Sequence, residues 1–205
     1  MSTEYEFRGW DDLLRHGVGP TQQAFLDLVR STKDTKNYCA NVIWGNLQTP
    51  DYVRAMLRLV ADFHGTPGDI EAGVQGRTAR AELIGAEGRT YHVILAQAAL
   101  RTNIGGREVM RGQLVRLLES YELPGLKLGV IPDRAEQHVY PGHSFGIFDG
   151  KRVEIELYGG APTHTEPDQV RVYEEAFRRL ERSAVYGDAA KALIRREMAA
   201  LEGPE

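Results

Sequence analysis

The sequence predicts an α+β protein in which a helical N-terminal half packs on a small mixed β-sheet and two helices follow at the C-terminus. Two patterns predict the sheet: a strand–helix–strand pattern over residues 91–131 and a hairpin pattern over residues 143–157. Helical periodicity predicts the rest. We therefore expect a single domain, 1–205, with a mainly helical part at 1–88, a sheet part with a crossover helix at 89–160, and C-terminal helices at 161–205.

The composition excludes several classes of protein. A formal net charge of −4 and a pI near 5.9 give no basic surface, so we expect no direct binding of nucleic acid. The single cysteine, Cys39, cannot form an internal disulfide, and no apolar run is long enough to cross a membrane. The N-terminus has neither the basic nor the apolar region of a secretion signal, so we predict a cytoplasmic protein.

The N-terminal part contains three helical patterns. After a short turn around Trp10, a long helix is predicted with the apolar stripe Phe25, Leu28, Val29, Thr32, Cys39, Val42 and Ile43. A structural role for the Cys39 thiol is favoured over a reactive one, because no His or Arg is one turn away. Thr49 is the predicted N-cap of the second helix. The third helix starts at Thr66–Asp69 and has the buried face Ile70, Val74, Ala81 and Ile84, with Arg77 on or beside it.

The central unit begins with Tyr91, Val93 and Leu95 on one face of a strand. A helix follows with the apolar stripe Met110, Leu114, Leu117, Leu118 and Tyr121, and a second strand is predicted at Leu126–Ile131. This order implies parallel pairing with a right-handed crossover. Further on, Glu166–Asp168 is predicted to start one C-terminal helix and Asp188 to cap the last.

The hairpin pattern allows two registers. A two-residue turn at Asp149-Gly150 would place Phe145 opposite Glu154, whereas a three-residue loop, Phe148-Asp149-Gly150, places Phe145 opposite Val153 and His143 opposite Ile155. We choose the three-residue loop with Gly150 at positive φ. It keeps the apolar residues on one buried face, which comprises Phe145, Ile147, Val153 and Ile155.

Several polar residues are candidates for chemistry. Glu154 and Glu156 lie about 7 Å apart on one strand face, which suits acid/base work, although a solvated face paired with Arg152 is favoured. His143 and Tyr140 are further candidates for an acid or base, with a hydrogen-bonded core histidine as the favoured alternative for His143. No metal-ligand spacing and no nucleotide-binding glycine motif occurs, so we predict no metal and no cofactor. The candidate ligand-binding residues are Trp44, Arg77, Arg80, His92 and Arg101.

Several short motifs fall in the order known from one family. They are LQTPDYVRAML, RTARAEL, AALRTNIGGREVMRGQL, LKLGVIP, PGHSFGIFDG, VEIELYGG and EPDQVRVYEEAFRRLERSA. Over about residues 10–200 the chain resembles the actinobacterial-type domain of unknown function that follows the helix-turn-helix in Xre-like regulators, which have BldB-like partners. The resemblance implies an α+β sensor or partner-binding module.

The helix-turn-helix of the longer members is missing from this sequence, so we expect a stand-alone module without its own DNA contact. Its expected partners are a small-molecule ligand, a BldB-like protein or a second copy of the chain. The alternative is a cofactor-independent acid/base enzyme of natural-product biosynthesis that reuses the sensor pocket. In either case we predict a pocket between the sheet and the helical half, lined by Trp44, Arg77, His92, His143, Glu154 and Glu156.

Overall fold

The structure, a computed structural model, describes residues 5–66 and 69–201. Within these ranges one mixed sheet has the strand order β1-β7-β6-β5-β2-β3-β4-β8. Strands β2, β3 and β4 are parallel, and the other neighbouring pairs are antiparallel. The strands are β1 (Tyr5–Gly9), β2 (Asp34–Cys39), β3 (Thr90–Ala96), β4 (Leu126–Ile131), β5 (Phe145–Phe148), β6 (Arg152–Ile155), β7 (Gly160–His164) and β8 (Val185–Tyr186).

Helices cover both faces of this sheet. Helix α7 packs on one face, and the helices of the N-terminal half pack on the other together with α6 and α8. We call these the α7 face and the helical face. The helices are α1 (Trp10–Leu13), α2 (Val18–Ser31), α3 (Pro50–His64), α4 (Ile70–Thr78), α5 (Gln97–Arg101), α6 (Arg107–Glu119), α7 (Pro167–Ser183) and α8 (Gly187–Ala200).

The hydrophobic core is divided by the sheet. In β3, Val93 and Leu95 face the helical side, whereas Ile94 faces α7, and all three are fully buried. A strand covered on both sides has no polar face, which explains the nearly continuous apolar run in the sequence. The structure confirms the α+β class with its mixed sheet, the strand Leu126–Ile131, its parallel pairing with β3, and Thr49 as the N-cap of α3.

Residues 34–39 correct the sequence interpretation most strongly, because they form a central strand instead of continuing a helix. Helix α2 ends at Ser31, and the extended residue Thr32 bonds its Oγ1 to the Leu28 carbonyl. Strand β2 then pairs with β3 on one side and β5 on the other. These pairings are with distant segments, and they override the local helical periodicity. Cys39 therefore lies on a strand.

Other boundaries differ in detail. The part predicted as mainly helical also contains β1 and β2, and the predicted C-terminal helical part contains β7 and β8. Helix α4 ends at Thr78, so Ala81 and Ile84 lie beyond it. The Asp69 side chain does not cap its own helix but accepts from the N–H groups of Val18 and Gly19, which caps α2. Pro67 and Gly68 of the predicted helix start lie outside the described residues. Asp188 lies in the first turn of α8, whose N-cap is Tyr186.

The hairpin has a three-residue loop, as predicted, but the loop is 149–151 and the register is shifted by two residues. Phe145 pairs with Ile155 and Ile147 with Val153. Because side chains alternate with a period of two, this shift keeps every residue on its predicted face, and the four apolar residues are buried. Gly150 has the predicted positive φ of 61°. The Asp149 carboxylate accepts from the Lys33 and Asp34 N–H groups at 2.9 Å, which anchors the loop to β2.

Candidate functional site

Close packing of α2 against α4 builds the candidate site on the helical face. Two glycines of α4 make this approach possible: a Cβ on Gly76 would lie 3.2 Å from the Gln22 Cβ, and one on Gly73 would lie 2.9 Å from a Val18 methyl. Helix α4 carries Arg77 near its end, and the 3-10 helix Ala79–Leu83 that follows carries Arg80. The two arginines therefore face Gln22 of α2.

One amide oxygen holds both guanidinium groups. Gln22 Oε1 accepts from Arg77 Nε at 2.9 Å and from Arg80 Nη2 at 2.9 Å. Arg77 Nη1 donates to Gln48 Oε1 at 2.9 Å, and the Gln48 amide in turn donates to the Ile43 carbonyl at 2.7 Å. Two neutral glutamines thus fix two cations, and we call these four side chains the arginine site.

The arginine site has no carboxylate counterion among the described residues. Arg80 is only 4% exposed, yet no carboxylate oxygen of the described chain lies within 4.0 Å of it or of Arg77. Each guanidinium has five N–H donors, and the described residues accept four hydrogen bonds from the pair. Burying a charge is costly unless it is paired. The site therefore carries uncompensated positive charge and free donor capacity.

Burial changes the acidity of both arginines. It lowers the pKa of Arg77, which the charge of Glu156 partly opposes. It also lowers the pKa of Arg80, to about 9, with repulsion from Arg77 as the second cause and Glu156 again opposing. A guanidinium group keeps its proton in proteins at neutral pH, so both side chains are cations at pH 7.

Two neighbouring groups are held in their neutral forms. Burial raises the pKa of the Cys39 thiol to about 12, and the negative charge of Glu156 adds to the effect. The thiolate is therefore absent at neutral pH, in agreement with the structural role favoured for this cysteine. Burial also raises the pKa of Tyr52 to about 12, and its hydroxyl accepts from the Ile43 N–H at 3.4 Å.

A row of residues crosses the sheet on the helical face in the order Asn37, Gly146, Glu154, Thr163. Asn37 is 6% exposed, and its Nδ2 has no hydrogen-bond partner among the described residues. Position 146 leaves no room for a side chain, since a Cβ there would lie 2.8 Å from Asn37 Oδ1. Glu154 accepts from Arg152 Nε and, at 3.0 Å, from Thr163 Oγ1, so its charge is compensated.

Several predicted site residues meet on this face. Arg77 and Arg80 form the arginine site, and Glu156 influences the charge of both. Trp44 is buried against Tyr91, with 5.4 Å between the ring centroids. The residue after Trp44 is Gly45, where a Cβ would lie 3.6 Å from Arg80 Nη2. The Trp44 loop therefore closes over the arginine site.

Other predicted residues lie elsewhere, so the predicted pocket with both histidines is not formed. His92 points to the α7 face, where its Nε2 lies 2.8 Å from the Tyr186 hydroxyl. His143 Nε2 lies 3.1 Å from the Tyr173 hydroxyl of α7. Tyr140 is 84% exposed, and Arg101 pairs with Asp133 at 2.6 Å. Strand periodicity correctly placed His92 and Val93 on opposite faces of the sheet, but it could not show which face the helical half would cover.

The sequence interpretation missed Gln22, Gln48 and Asn37. A signal existed for Gln22, because it shares the buried stripe of α2 with Val18, Leu26 and Val29. A polar residue on an apolar stripe requires a buried partner. Asn37 gave no such signal because its segment was interpreted as a helix.

A cavity of about 380 Å³ on the α7 face is the main alternative location for a site. Its charged side chains have ion-pair partners, for example Lys36 Nζ with Glu174 Oε2 at 2.6 Å. We prefer the arginine site because its charges are not compensated. In residues 5–66 and 69–201 no three His, Cys, Asp or Glu side chains are close enough to hold a metal ion. None of the described helices is both long and apolar enough to cross a bilayer.

The fold and the site define an α+β domain with a buried cationic centre. The chain belongs to the family described as domain of unknown function (DUF5753), whose model matches residues 22–196 and so includes the whole arginine site. No curated protein matches the chain.

Three solved structures show a distant likeness. NUC from Salmonella typhimurium, a phospholipase D family member, has 10% identity and a TM-score of 0.47, with 90% of this chain and 97% of that chain covered. NucT from Helicobacter pylori has 11% identity and a TM-score of 0.42 over 90% and 98%. The archaeal chromatin protein TrmBL2 has 9% identity and a TM-score of 0.42 over 91% and 56%. At these scores no activity is transferred to this chain.

Proposed function

We propose that the chain is a small-molecule-binding module that holds an anion at Arg77 and Arg80. The observation that supports this proposal is the pair of guanidinium groups, Arg80 buried and Arg77 half-buried, whose described hydrogen-bond partners are neutral glutamines and the carbonyl of Arg77. A carboxylate, sulfate or phosphate would offset the cost of burying two like charges, and it would accept charge-assisted hydrogen bonds from the unused donors.

The proposal agrees with the sensor role that the family resemblance implies. A module derived from a regulator would bind its ligand between the helical half and the sheet, where the arginine site lies. The absence of direct DNA contact, a BldB-like partner and pairing of two copies stay predictions. Each of them can be tested independently of the ligand.

The acid/base enzyme is the less supported alternative. Its candidate groups do not converge, because Glu154 is held by Arg152 and Thr163 on the helical face, whereas His143 contacts Tyr173 of α7. General acid/base chemistry requires both groups within hydrogen-bond reach of one substrate. Glu156 alone is close enough to influence the arginine charges.

Arg80→Met tests the proposal. The substitution removes one cation but keeps the side-chain length, and Gln22 Oε1 still accepts from Arg77 Nε. The measurement is the rise in melting temperature of the wild type and the variant with benzoate, sulfate or phosphate, relative to chloride at equal ionic strength. We expect at least one of these anions to raise the wild-type melting temperature by several degrees in millimolar concentration, and the variant to lose this rise.

Arg178→Met is the matched control, because Arg178 is an exposed cation that pairs with Glu175 and lines the cavity on the α7 face. This variant should keep the full anion effect. The ligand-binding proposal is overturned if no anion stabilises the wild type, or if Arg80→Met retains the effect. The stability of the unliganded protein is also informative. Replacing an uncompensated buried cation by Met should leave this stability unchanged or raise it, whereas loss of an arginine with a purely structural role would lower it.

A further inference from the structure

The ladder of the sheet places Glu156 on the helical face, the face on which the arginine site lies. Tyr38, Phe145 and Ile155 form one row across β2, β5 and β6. Glu156 follows Ile155 and is therefore on the opposite, helical face, level with Cys39, which follows Tyr38. Between these two strands Ser144 Oγ accepts from the Ala40 N–H at 2.9 Å, which holds the strand ends together. This position accounts for the effect of Glu156 on the pKa of Cys39, and the same carboxylate opposes the lowering of the pKa of both arginines.

The charges of the arginine site and Glu156 do not cancel. Glu156 is exposed and has no ion-pair partner within 4.0 Å in the described part of the chain. Glu154 is neutralised by Arg152, so it does not contribute to the balance. Two positive charges from Arg77 and Arg80 and one negative charge from Glu156 leave the site with one excess positive charge.

We infer that Glu156 restricts the arginine site to singly charged organic anions. The chemical class of the ligand is a carboxylate with an apolar body. The inference rests on the proposed function. A monoanion brings the local charge to zero, whereas a dianion leaves an excess negative charge beside the buried Arg80, which is unfavourable. The apolar body is favoured by the aromatic surroundings: the Arg80 guanidinium lies over the ring of Phe25, which contacts Phe148.

Phenyl sulfate and phenyl phosphate are matched probes, because both have a phenyl ring and a tetrahedral head group. At pH 8 the sulfate carries one charge and the phosphate two, since the second pKa of a phosphate ester is near 6. Benzoate serves as the planar monoanion. Isothermal titration calorimetry at constant ionic strength should show that the wild type binds phenyl sulfate or benzoate at least about tenfold more tightly than phenyl phosphate.

Glu156→Gln tests the cause of this selectivity. The Coulomb energy is proportional to the charge of the ligand, so the fold-gain for the dianion should be the square of the gain for the monoanion: roughly tenfold for phenyl phosphate if it is about threefold for phenyl sulfate. Glu174→Gln is the control, because it changes the net charge equally but lies on the α7 face. It should leave the ratio of the two affinities unchanged.

The outcomes separate the two proposals. If the wild type binds phenyl phosphate as tightly as phenyl sulfate, or if Glu156→Gln raises both affinities by the same factor, the monoanion inference is wrong while anion binding stands. If none of the three probes binds and inorganic sulfate and phosphate also fail, the proposed function itself is wrong. Preferential binding of the monoanions, lost in Glu156→Gln but kept in Glu174→Gln, supports both.

Discussion

Arg80 lies over the ring of Phe25, with 4.7 Å between the guanidinium carbon and the ring centroid. The ring is held in place by Phe148, which it meets edge-to-face at 5.8 Å. The negative face of an aromatic ring attracts a cation, and the attraction is larger when water is excluded. Phe25 therefore partly replaces the counterion that the described residues do not provide.

Phe25→Leu should show this contribution. We expect the free energy of unfolding to fall by about 2 kcal/mol, from lost packing and lost cation–π attraction. In the Arg80→Met background the same substitution should cost about 1 kcal/mol less, because the cation is already gone. Urea denaturation of the four proteins gives both values. Strictly additive costs would contradict an attraction between the two residues.

Replacing the buried amides Gln113 and Asn37 by apolar side chains should change the free energy of unfolding in opposite directions. Gln113 is fully buried, accepts from the Thr49 N–H at 2.7 Å and donates to the Leu47 carbonyl at 2.9 Å. Gln113→Leu leaves both backbone groups unpaired and should cost about 2–4 kcal/mol. Asn37→Val instead removes the unpaired Nδ2 and adds a strand-forming residue, so unliganded protein should gain up to about 1 kcal/mol. A large loss of stability in Asn37→Val would show that this amide has a partner.

His92 should make the protein sensitive to mild acid. Burial, and then the positive charge of Lys127, lower the pKa of His92 to about 4, so it is neutral at pH 7 although Glu181 Oε1 is 3.8 Å away. The unfolded chain takes up this proton near pH 6.5 and the folded protein only near pH 4. Stability is therefore lost as the pH falls through this window, by up to about 3 kcal/mol.

His92→Gln checks this assignment, because glutamine has no charge in this range and can still hydrogen-bond to Tyr186. The measurement is the free energy of unfolding between pH 7.5 and pH 4.5. The variant should lose less stability on acidification than the wild type, whereas the control His16→Gln, at an exposed site, should follow the wild type. Parallel curves for all three proteins would contradict the assignment.

Gly150→Ala tests the hairpin loop. Gly150 has φ +61°, which a residue with a Cβ adopts at a cost of about 1 kcal/mol. Gly159→Ala is the control, because Gly159 lies outside the positive-φ region and a Cβ there would meet no atom within 4 Å. Thermal or urea unfolding should show a loss in the first variant and little change in the second. Equal stability of the two variants would refute the strained position.

Sequence patterns predict the secondary structure correctly wherever the local pattern and the tertiary packing agree. Strand β4, helix α6 and the N-cap Thr49 follow from periodicity and capping chemistry alone. The buried face of the hairpin was also predicted correctly, although its register was not, because a shift of two residues preserves the faces. Strand β2 was missed because its stability comes from neighbours that are distant in sequence.

The arginine site was predictable only in part. Arg77 and Arg80 are among the ligand-binding residues that the sequence predicts, but their partners Gln22 and Gln48 come from other segments. Uncompensated charge is a property of three-dimensional surroundings, and no sequence pattern reports it. For the same reason His92 and His143 were assigned to a face that they do not occupy.

The central position of β2 has a consequence for how the protein folds. Asp34 contacts Thr90, which is 56 residues away, and Asp149, which is 115 residues away. Contacts over such distances give the sheet a high contact order. The sheet should form slowly, because the chain must lose the entropy of loop closure before strand pairing stabilises it. Neither terminal half contains a complete sheet. A nascent chain therefore exposes the β2 edge until the hairpin has been synthesised, and fragments cut between α6 and β5 should aggregate instead of folding.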